Sequence, residues 1–526
     1  MSKGSVVTLN PGKDPEKKHN STDKCMSLDA LAQYAVDCRR CGERVILCHG
    51  TYDLMHVGHI KHLEAARQLG DRLLVTLTAD KFVNKGPGRP VFTQALRAES
   101  IASLQCVDGV AINLADTAVN VIDAIRPDVY VKGSDYSNSK DDVTGNIRRE
   151  QDAVEHNGGR IHFTQEVTFS SSALLNEHFS AHSDEVRDFL QDFRLRHDVS
   201  RLKKSLDSLA QLNVLVLGDV IIDEYHYTRS LGQTGKGNVL AVQYEDKESF
   251  AGGSIAVANH VASFARKVTL LGGLGGQESH EAFIHQHLHD NIQPQFFTNP
   301  DARTLVKRRY IGDDSQKLFE VYYGGETITT AVMETKINTW LEKHLSQYDA
   351  VIVPDFGNGF ITQGIVNRLA EGARFLAVNT QVNSGNRGYH VITRYPRADF
   401  VSLNEPELRM AAGDRHGDIE SIAAHIAEQL HTTHLAVTRG KHGVLLQDQT
   451  TGHRHVIPAL SRQVVDRVGA GDAFLSLAGL CLAANVPADI AAFFGSIAGA
   501  INVQTVCNRE PVDPVLFQKY LVTLLK

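Results

Sequence analysis

Residues 47–62 read Leu-Cys-His-Gly-Thr-Tyr-Asp-Leu-Met-His-Val-Gly-His-Ile-Lys-His and form the most informative stretch of the chain. An apolar strand is predicted to lead into this motif, and an amphipathic helix is predicted to begin at Val57. His56 and His59 are three residues apart at the helix start, so they share one face near the unpaired backbone N–H groups of the first turn. Because a helix start carries partial positive charge, we predict that this turn binds the phosphates of a nucleotide.

The two histidines are the candidate catalytic residues of this site. Their imidazoles can donate hydrogen bonds to the charge that develops on an α-phosphate as pyrophosphate leaves. Gly50 and Thr51 would close the phosphate cradle from the strand side. The alternative is a pair of surface histidines on an ordinary helix, but the preceding strand and the following helix favour the phosphate site.

Length and composition indicate a globular protein with more than one domain. A chain of 526 residues is too long for one core, and 42% hydrophobic with 22% charged residues is typical of soluble proteins. The net charge of −7 provides no broad basic surface, so we expect no nucleic-acid partner. No apolar run is long enough to span a bilayer, so we expect no membrane association. The seven cysteines have no framework spacing, which favours the reducing cytoplasm as the location.

Alternating strands and helices predict two α/β domains. Residues 1–43 form a polar tail and a lead-in helix, and residues 44–180 form a Rossmann-like domain with a parallel sheet. Residues 181–211 are charged and helically periodic, and they are predicted to be a helical linker that is either solvated or part of a dimer contact. Residues 212–526 form a second α/β domain. Ligands are expected at the carboxyl ends of the parallel strands.

Further polar residues of the first domain are candidates for phosphate or substrate binding. Cations on a Gly/Pro-interrupted loop suit a triphosphate and a phosphorylated acceptor, although each alone could be an ordinary surface charge. A lysine and an aspartate follow a predicted strand end, and a run of serines precedes a helix, where it could bind phosphate, cap the helix, or both. These candidates are Lys85, Arg89, Arg97, Lys132, Asp135, Ser170, Ser171 and Ser172.

A second motif lies near the C-terminus, where residues 466–474 read Asp-Arg-Val-Gly-Ala-Gly-Asp-Ala-Phe before an apolar helix. The small residues Gly469, Ala470 and Gly471 let backbone N–H groups converge at the helix start as an anion hole. Asp472 is placed to accept the proton of an attacking hydroxyl during phosphoryl transfer. A plain helix cap is the alternative.

Residues 44–179 resemble the cytidylyltransferase-like nucleotidyltransferases, through Gly50-Thr51-Tyr52-Asp53-Leu54 with His56-Val57-Gly58-His59 and the later serine-rich turn. The resemblance implies transfer of NMP from an NTP onto a phosphate monoester with Mg²⁺, with Asp53, Arg97 and Asp135 among the substrate-binding residues. Lys132-Gly133-Ser134-Asp135-Tyr136 looks most like the adenylyltransferase of ADP-heptose synthesis. Residues 50–64 look as much like glycerol-phosphate and ethanolamine-phosphate cytidylyltransferases, so the choice between ATP and CTP stays open.

The C-terminal half resembles the PfkB/ribokinase sugar kinases along its length. Asp223 looks like the sugar-binding aspartate of this family, and Gly252 and Gly253 look like its di-glycine. The resemblance also assigns nucleotide and phosphate binding to Asn404, Glu407, Thr438, Gly440, Gly443, Gly469, Ala470 and Gly471.

The sequence departs from the kinase pattern in three places. Ala256 stands where asparagine is usual, and Arg467 stands where threonine is usual. Asn379-Thr380-Gln381 replaces the Asp-Pro-Lys or Asp-Pro-Arg of heptose-type kinases. These changes put the usual heptose-phosphate substrate in doubt and leave Asp472 in place, which favours an active kinase with an altered pocket.

A sugar kinase joined to a nucleotidyltransferase resembles the bifunctional heptose kinase/adenylyltransferases, here with the domain order reversed. The resemblance implies that one domain makes a sugar 1-phosphate and the other converts it to a nucleotide-activated sugar. ATP and Mg²⁺, with ATP or CTP as nucleotidyl donor, are the expected cofactors, and the metal is expected to arrive with the nucleotide rather than on protein ligands. The partners are small sugar phosphates and nucleotides, and a homodimer stays open. The alternatives are a cytidylyltransferase for an alcohol phosphate with a regulatory, non-catalytic kinase-like domain, and a nucleotide sensor.

Overall fold

The computed structural model describes residues 21–83, 85, 89–133, 146–164, 183–235, 237–313, 316–324, 328–383, 385–461 and 464–525. These residues form two compact units: the first holds the described residues up to 164 except Lys85, and the second holds Lys85 and the described residues from 183 onward. Both units are built from strands alternating with helices, so the predicted two-domain α/β architecture is confirmed.

The first unit contains a five-stranded parallel sheet. Its strands are β1 (Val45–Gly50), β2 (Arg72–Thr78), β3 (Gly109–Asn113), β4 (Val129–Gly133) and β5 (Arg160–Thr164). Its helices are α1 (Leu28–Arg40), α2 (Val57–Arg67), α3 (Gln94–Ala102), α4 (Val119–Ile125) and α5 (Asn146–His156), with 3₁₀ turns at Ser21–Lys24 and Asp80–Phe82. The strand order is β3-β2-β1-β4-β5, so the direction of winding reverses between β1 and β4. Ligands of such sheets bind at this switch point, outside the carboxyl ends of the strands.

Both faces of this sheet are covered, which explains the continuous apolar runs of its strands. Ile46, Cys48 and Val75 pack with Leu63 on one face. On the other face, Leu47 packs among residues of α1 and α4. This double burial holds the ends of β1 and β4 rigidly beside each other, and that edge carries the first candidate site.

The second unit contains two sheets. Its strands are β6 (Asn213–Leu217), β7 (Val220–Gln233), β8 (Leu240–Gly253), β9 (Lys267–Gln277), β10 (Ile292–Arg303), β11 (Leu305–Ile311), β12 (Lys317–Tyr323), β13 (Ala350–Asp355), β14 (Leu376–Thr380), β15 (Phe400–Asn404), β16 (His434–Thr438), β17 (Val444–Asp448) and β18 (Arg454–Ile457). The larger sheet has the order β10-β9-β6-β13-β14-β15-β16-β17-β18, and the smaller has the order β12-β11-β7-β8. Strands β13 to β16 pair in parallel, so their carboxyl ends meet at one edge.

The helices of the second unit are α6 (Asp184–Arg196), α7 (Val199–Ser208), α8 (Ser254–Ala262), α9 (Glu281–Gln286), α10 (Ala331–His344), α11 (Gln363–Gly372), α12 (Glu405–Ala412), α13 (Ile419–Gln429), α14 (Ala470–Ala483), α15 (Ala488–Asn502) and α16 (Pro514–Leu524). Short 3₁₀ turns occupy Leu209–Gln211, Leu345–Gln347, Ile392–Arg394 and Gly440–His442. Helices α14 and α15 are apolar and buried on nearly all sides, as expected of helices in the interior of a large domain.

Helices α6 and α7 lie where a helical linker was predicted, and they pack into the second unit. Val186, Leu190 and Phe193 are buried in its main core, and the rings of Phe193 and Phe493 lie 4.3 Å apart. The ring of His197 contacts the carboxylate of Asp489 at 2.7 Å. The interpretation of these helices as a solvated linker is therefore corrected, because their apolar residues are buried in the core of the second unit.

In the described part of the chain, no helix combines the length and apolar character that a membrane span requires.

Candidate active sites

The first candidate site is built around the start of α2. His56 occupies the N-cap position, and its Nδ1 accepts the backbone N–H of Gly58 at 3.1 Å. The ring of His56 stacks on that of His59, with centroids 3.9 Å apart and planes inclined by 22°. Burial lowers the pKa of His56, so its ring is neutral near pH 7. With Nδ1 accepting a hydrogen bond, Nε2 carries the proton and acts as a donor.

Two residues of the β1–α2 connection support the histidine pair. Tyr52 adopts a left-handed backbone conformation with φ of 50°. Its ring meets that of His59 edge-on, with centroids 5.3 Å apart. The same ring covers Gly50, where an added Cβ would lie 3.1 Å from Tyr52 Cε2. Tyr52 thus helps to orient His59, and the absence of a side chain at Gly50 makes room for the Tyr52 ring. The sequence alone did not assign this role to Tyr52.

Asp53, Arg89 and Arg97 hold the loops around this site. The carboxylate of Asp53 is buried, accepts the backbone N–H of Val91 at 2.6 Å and pairs with Arg89 at 3.3 Å. The side chain of Arg97 is only 1% exposed; it donates to the carbonyls of Thr51, Thr78 and Phe92 and pairs with Asp80. These contacts show how both residues support the loop, and their contact with a substrate stays a prediction.

A second polar group lies at the carboxyl end of β4. Buried Lys132 pairs with the carboxylate of Glu150 at 2.8 Å. His62 Nδ1 lies 2.8 Å from the Thr164 hydroxyl, and burial together with the charge of Lys132 lowers the pKa of His62 to about 4. Burial also lowers the pKa of His49, to about 3, where its Nδ1 contacts Thr76. Neutral His49 and His62, together with Glu150, were missed from sequence, although both histidines stand in the motif quoted first.

Five of the predicted first-domain residues have little or no structural description. Lys85 is described by the structure, and it is half-buried. Asp135, Ser170, Ser171 and Ser172 lie outside the described residues.

The second candidate site is a cleft of about 2230 Å³ in the second unit. The cleft brings together predicted residues from motifs that are far apart in sequence. These are Asp223, Gly253, Asn404, Glu407, Thr438, Gly440, Gly443, Gly469, Ala470, Gly471 and Asp472. Gly252 lies beneath Asp223, where a Cβ would meet the carboxylate.

Asp472 lies in the first turn of α14, and its side chain is buried. Gln381 Nε2 donates a hydrogen bond to Asp472 Oδ1 at 2.8 Å. Burial, followed by the charge of Asp223, raises the pKa of Asp472 to about 7. A carboxylate with this pKa is matched to general-base chemistry near neutral pH. Gly469 begins the helix with φ of 88°, and a Cβ there would lie 1.8 Å from Asn508 Oδ1, so this position requires glycine.

Asp223 lies in a charged group at one side of the cleft. Its carboxylate pairs with the guanidinium of Arg309, which also pairs with Glu320 at 2.8 Å. Lys307 lies two residues away on β11, and the carboxylates of Asp223 and Asp219 both act on its ammonium. Lys307 and Arg309 were missed from sequence; their spacing of two on a strand, which places both on one face, was the available signal.

The lining of the cleft also includes the Asn404–Glu407 pair. The Asn404 side chain accepts the backbone N–H of Glu407, and Glu407 accepts that of Asn404, both at 2.9 Å, which forms a capping box at the start of α12. The backbone N–H of Val382 also reaches Glu407, at 3.3 Å. Burial raises the pKa of Glu407 to about 7. The Asn404–Glu407 pair therefore lines the cleft and also holds the start of α12 and the backbone at Val382 in place.

Among the described residues, no three or more His, Cys, Asp or Glu side chains are grouped so that they could hold a metal ion. The carboxylates of Asp472, Asp223 and Glu407 nevertheless line the cleft separately. Their carboxylate oxygens are ligands of the kind that Mg²⁺ prefers.

Comparison with known families agrees with this division into two sites. Residues 211–513 match the family model described as pfkB family carbohydrate kinase. The chain belongs to the PfkB carbohydrate kinase family. Residues 47–177 match the model described as cytidylyltransferase-like. The PfkB kinase domain thus follows a nucleotidyltransferase-like domain in one chain, which confirms the predicted pairing of folds.

Curated relatives of this PfkB protein include two named bifunctional protein HldE. The one from Methylobacillus flagellatus is 46% identical over 141 residues, which cover 26% of this chain and 28% of that protein. The one from Pelobacter propionicus is 25% identical over 326 residues, which cover 60% of this chain and 66% of that protein. The crystal structure of ribokinase from Thermotoga maritima has a TM-score of 0.47 and 17% identity, covering 58% of this chain and 98% of that one. The chain therefore spans less than two thirds of the length of both curated relatives.

Proposed function

We propose that this chain makes a nucleotide-activated sugar in two steps. The PfkB domain transfers the γ-phosphoryl group of ATP to a sugar or sugar phosphate. The nucleotidyltransferase domain then transfers NMP from ATP or CTP to the sugar 1-phosphate and releases pyrophosphate. One observation carries this proposal: Asp472 and the His56–His59 pair each lie at a helix start. The Asp472 side chain is buried there, and the two histidine rings are stacked.

In the kinase step, Asp472 accepts the proton of the attacking hydroxyl. Its raised pKa, about 7, makes the ionised carboxylate a stronger base than an exposed aspartate while keeping it substantially ionised at neutral pH. The backbone N–H groups at the start of α14 stabilise the transferred phosphoryl group. Mg²⁺ bound to the nucleotide would neutralise phosphate charge in this step.

Lys307 supports a substrate that carries an anionic group. The residue is only 7% exposed, yet its ammonium forms no ion pair within 4.0 Å among the described residues. The rings of Tyr322 and Phe356 lie 5.3 and 5.7 Å from the ammonium, and burial lowers the pKa of Lys307. The carboxylates of Asp223 and Asp219 act on this ammonium only from beyond ion-pair distance, so a phosphate on the sugar would stabilise the buried charge. We infer a sugar phosphate as the acceptor.

In the nucleotidyl transfer step, the histidine pair stabilises the transition state. The neutral ring of His56 donates through Nε2, because Nδ1 already accepts a hydrogen bond from Gly58. His59 is stacked against it and would reach the same phosphate. The N–H groups of the first turn of α2 add positive potential at that point. Small sugar phosphates and nucleotides of the cytoplasm would be the partners of both domains.

The two half-reactions can be tested separately with one protein. ATP consumption is measured across a panel of sugars and sugar phosphates, and pyrophosphate release is measured across NTPs with sugar 1-phosphates. His59→Ala should lose only pyrophosphate release, and Asp472→Asn should lose only sugar-dependent ATP consumption. If the wild type binds nucleotide in the kinase cleft but consumes none with any sugar, the kinase half of the proposal fails and a regulatory kinase-like domain is favoured.

A further inference from the structure

The cleft contains an amide clamp on the candidate base that the kinase motifs do not explain. We propose that Gln381 is a positioning residue for Asp472, holding one carboxylate oxygen so that Asp472 stays oriented toward the substrate hydroxyl. The effect of Gln381 on catalysis rests on the proposed kinase function, but its contact with Asp472 can be tested without measuring turnover. The Asn508 side chain lies against Gly469 at the start of the same helix, and it also lowers the pKa of Asp472.

The backbone of Gln381 is held by hydrogen bonds of its own, independently of the contact between its side chain and Asp472. Gln381 directly follows β14, and its backbone N–H donates to the carbonyl of Asp355 at 2.9 Å. Its own carbonyl accepts a hydrogen bond from Asn386 Nδ2 at 3.3 Å. Because both backbone groups are held, the entropic cost of the hydrogen bond from Nε2 to Asp472 at 2.8 Å is confined to the side-chain torsions of Gln381.

The loop after Gln381 is fastened by two further asparagines. Asn383 Nδ2 and Asn386 Nδ2 donate to the carbonyl of Phe356 at 3.0 and 3.1 Å. Asn386 Oδ1 accepts the backbone N–H of Asn383 at 2.8 Å. The loop is thus held to the end of β13 by side-chain amides, which gives Gln381 a rigid support.

The charges around Asp472 explain why a donor is needed there. Burial is the main cause of the raised pKa of Asp472, and the charges of Asp223 on β7 and Glu407 on α12 raise it further. Arg309 compensates the charge of Asp223, and Glu407 also interacts with His390. The amides of Gln381 and Asn508 are the groups that favour the ionised form. A neutral donor offsets the burial without removing the basicity of the carboxylate, which a cation at residue 381 would do.

The clamp predicts a direct change in the titration of Asp472. In the full chain labelled with ¹³C at aspartate carboxyls, the resonance missing from Asp472→Asn identifies this group. Gln381→Leu should move its midpoint upward by about one pH unit, since a hydrogen bond to a charged group is lost. Gln381→Lys should move it downward. Gln429→Leu, which changes an exposed glutamine at the end of α13, is the matched control and should leave it unchanged.

Turnover provides the second readout and separates the two proposals. With the best sugar acceptor, Gln381→Leu should lower kcat at least tenfold and shift the acidic limb of the pH–rate profile upward, while KM for ATP stays near that of the wild type. Gln381→Lys should shift that limb downward, which a purely structural role would not produce. An Asp472 midpoint that does not move in either variant overturns the clamp. A midpoint that moves as expected in a protein that phosphorylates no sugar upholds the clamp and overturns the kinase proposal.

Discussion

Asp223 packs directly over the Cα of Gly252. A Cβ added at residue 252 would lie 1.9 Å from Asp223 Oδ2, a distance that no non-bonded pair adopts. The Asp223 carboxylate cannot move away easily, because it pairs with buried Arg309. The di-glycine therefore makes room for the candidate sugar-binding carboxylate.

Gly252→Ala should displace Asp223 and weaken acceptor binding. We expect kcat/KM for the sugar acceptor to fall at least tenfold while nucleotide affinity is unchanged. Gly479→Ala in α14 is the control, because a Cβ there meets its neighbours at ordinary distances of 3.5 Å or more. A Gly252→Ala variant with wild-type kcat/KM would show that Asp223 does not contact the acceptor.

His59→Ala should lower nucleotidyl transfer by about two or more orders of magnitude, as loss of a transition-state hydrogen-bond donor does. Substrate affinity should change less, because the donor acts on charge that develops during the reaction. Pyrophosphate release under saturating NTP measures the effect. His156→Ala, at the exposed end of α5, is the control. Wild-type pyrophosphate release by the His59→Ala variant would refute this site.

Asp472→Asn should bind ATP and lose phosphoryl transfer, because the amide keeps the size of the side chain but cannot accept the proton. In the wild type, the rate should rise as the pH increases through about 7, because the raised pKa of Asp472 keeps the base protonated, and inactive, below that pH. The expected profile is measured as kcat against pH with a fixed acceptor. A rate that stays constant on either side of neutral pH would exclude Asp472 as the rate-determining base.

Lys307→Met should raise KM for a phosphorylated acceptor at least tenfold and change KM for a neutral sugar less. The methionine keeps much of the apolar stem between Tyr322 and Phe356 but removes the charge. Lys267→Met, at an exposed position in β9, controls for loss of a surface cation. Equal KM changes for both kinds of acceptor would assign Lys307 to packing rather than to anion binding.

The two domains should be separable near residues 180–183. A fragment ending near Ser180 should fold and keep nucleotidyl transfer. A fragment beginning at Ser183 should be more stable than one beginning at Leu212, because only the longer one keeps Phe193 against Phe493. Thermal unfolding of the two C-terminal fragments measures the difference. Equal Tm values would show that α6 and α7 contribute little to the kinase core.

Several features of the site were predicted because they depend on neighbours in sequence. The helix start at Val57 and the one at Ala470 follow from local apolar patterns and from small residues before the helix. The histidine pair and Asp472 each lie within one turn of such a start, so their positions required no long-range information. Strand β5 and the second sheet of the kinase unit were not predicted, since β5 has only 5 residues and the long strands β7 and β8 are exposed along one half of their length.

The sequence by itself determined two α/β domains and the helix starts that carry His56, His59 and Asp472, because strand–helix alternation and small-residue turns are local properties. Only the tertiary structure decided which side chains surround them. The hydrogen bond from Gln381 to Asp472 joins residues 91 positions apart, and the pairing of Arg309 with Asp223 spans 86. Such contacts depend on the order in which strands pair across a sheet, and this order places distant strand ends together without any local signal.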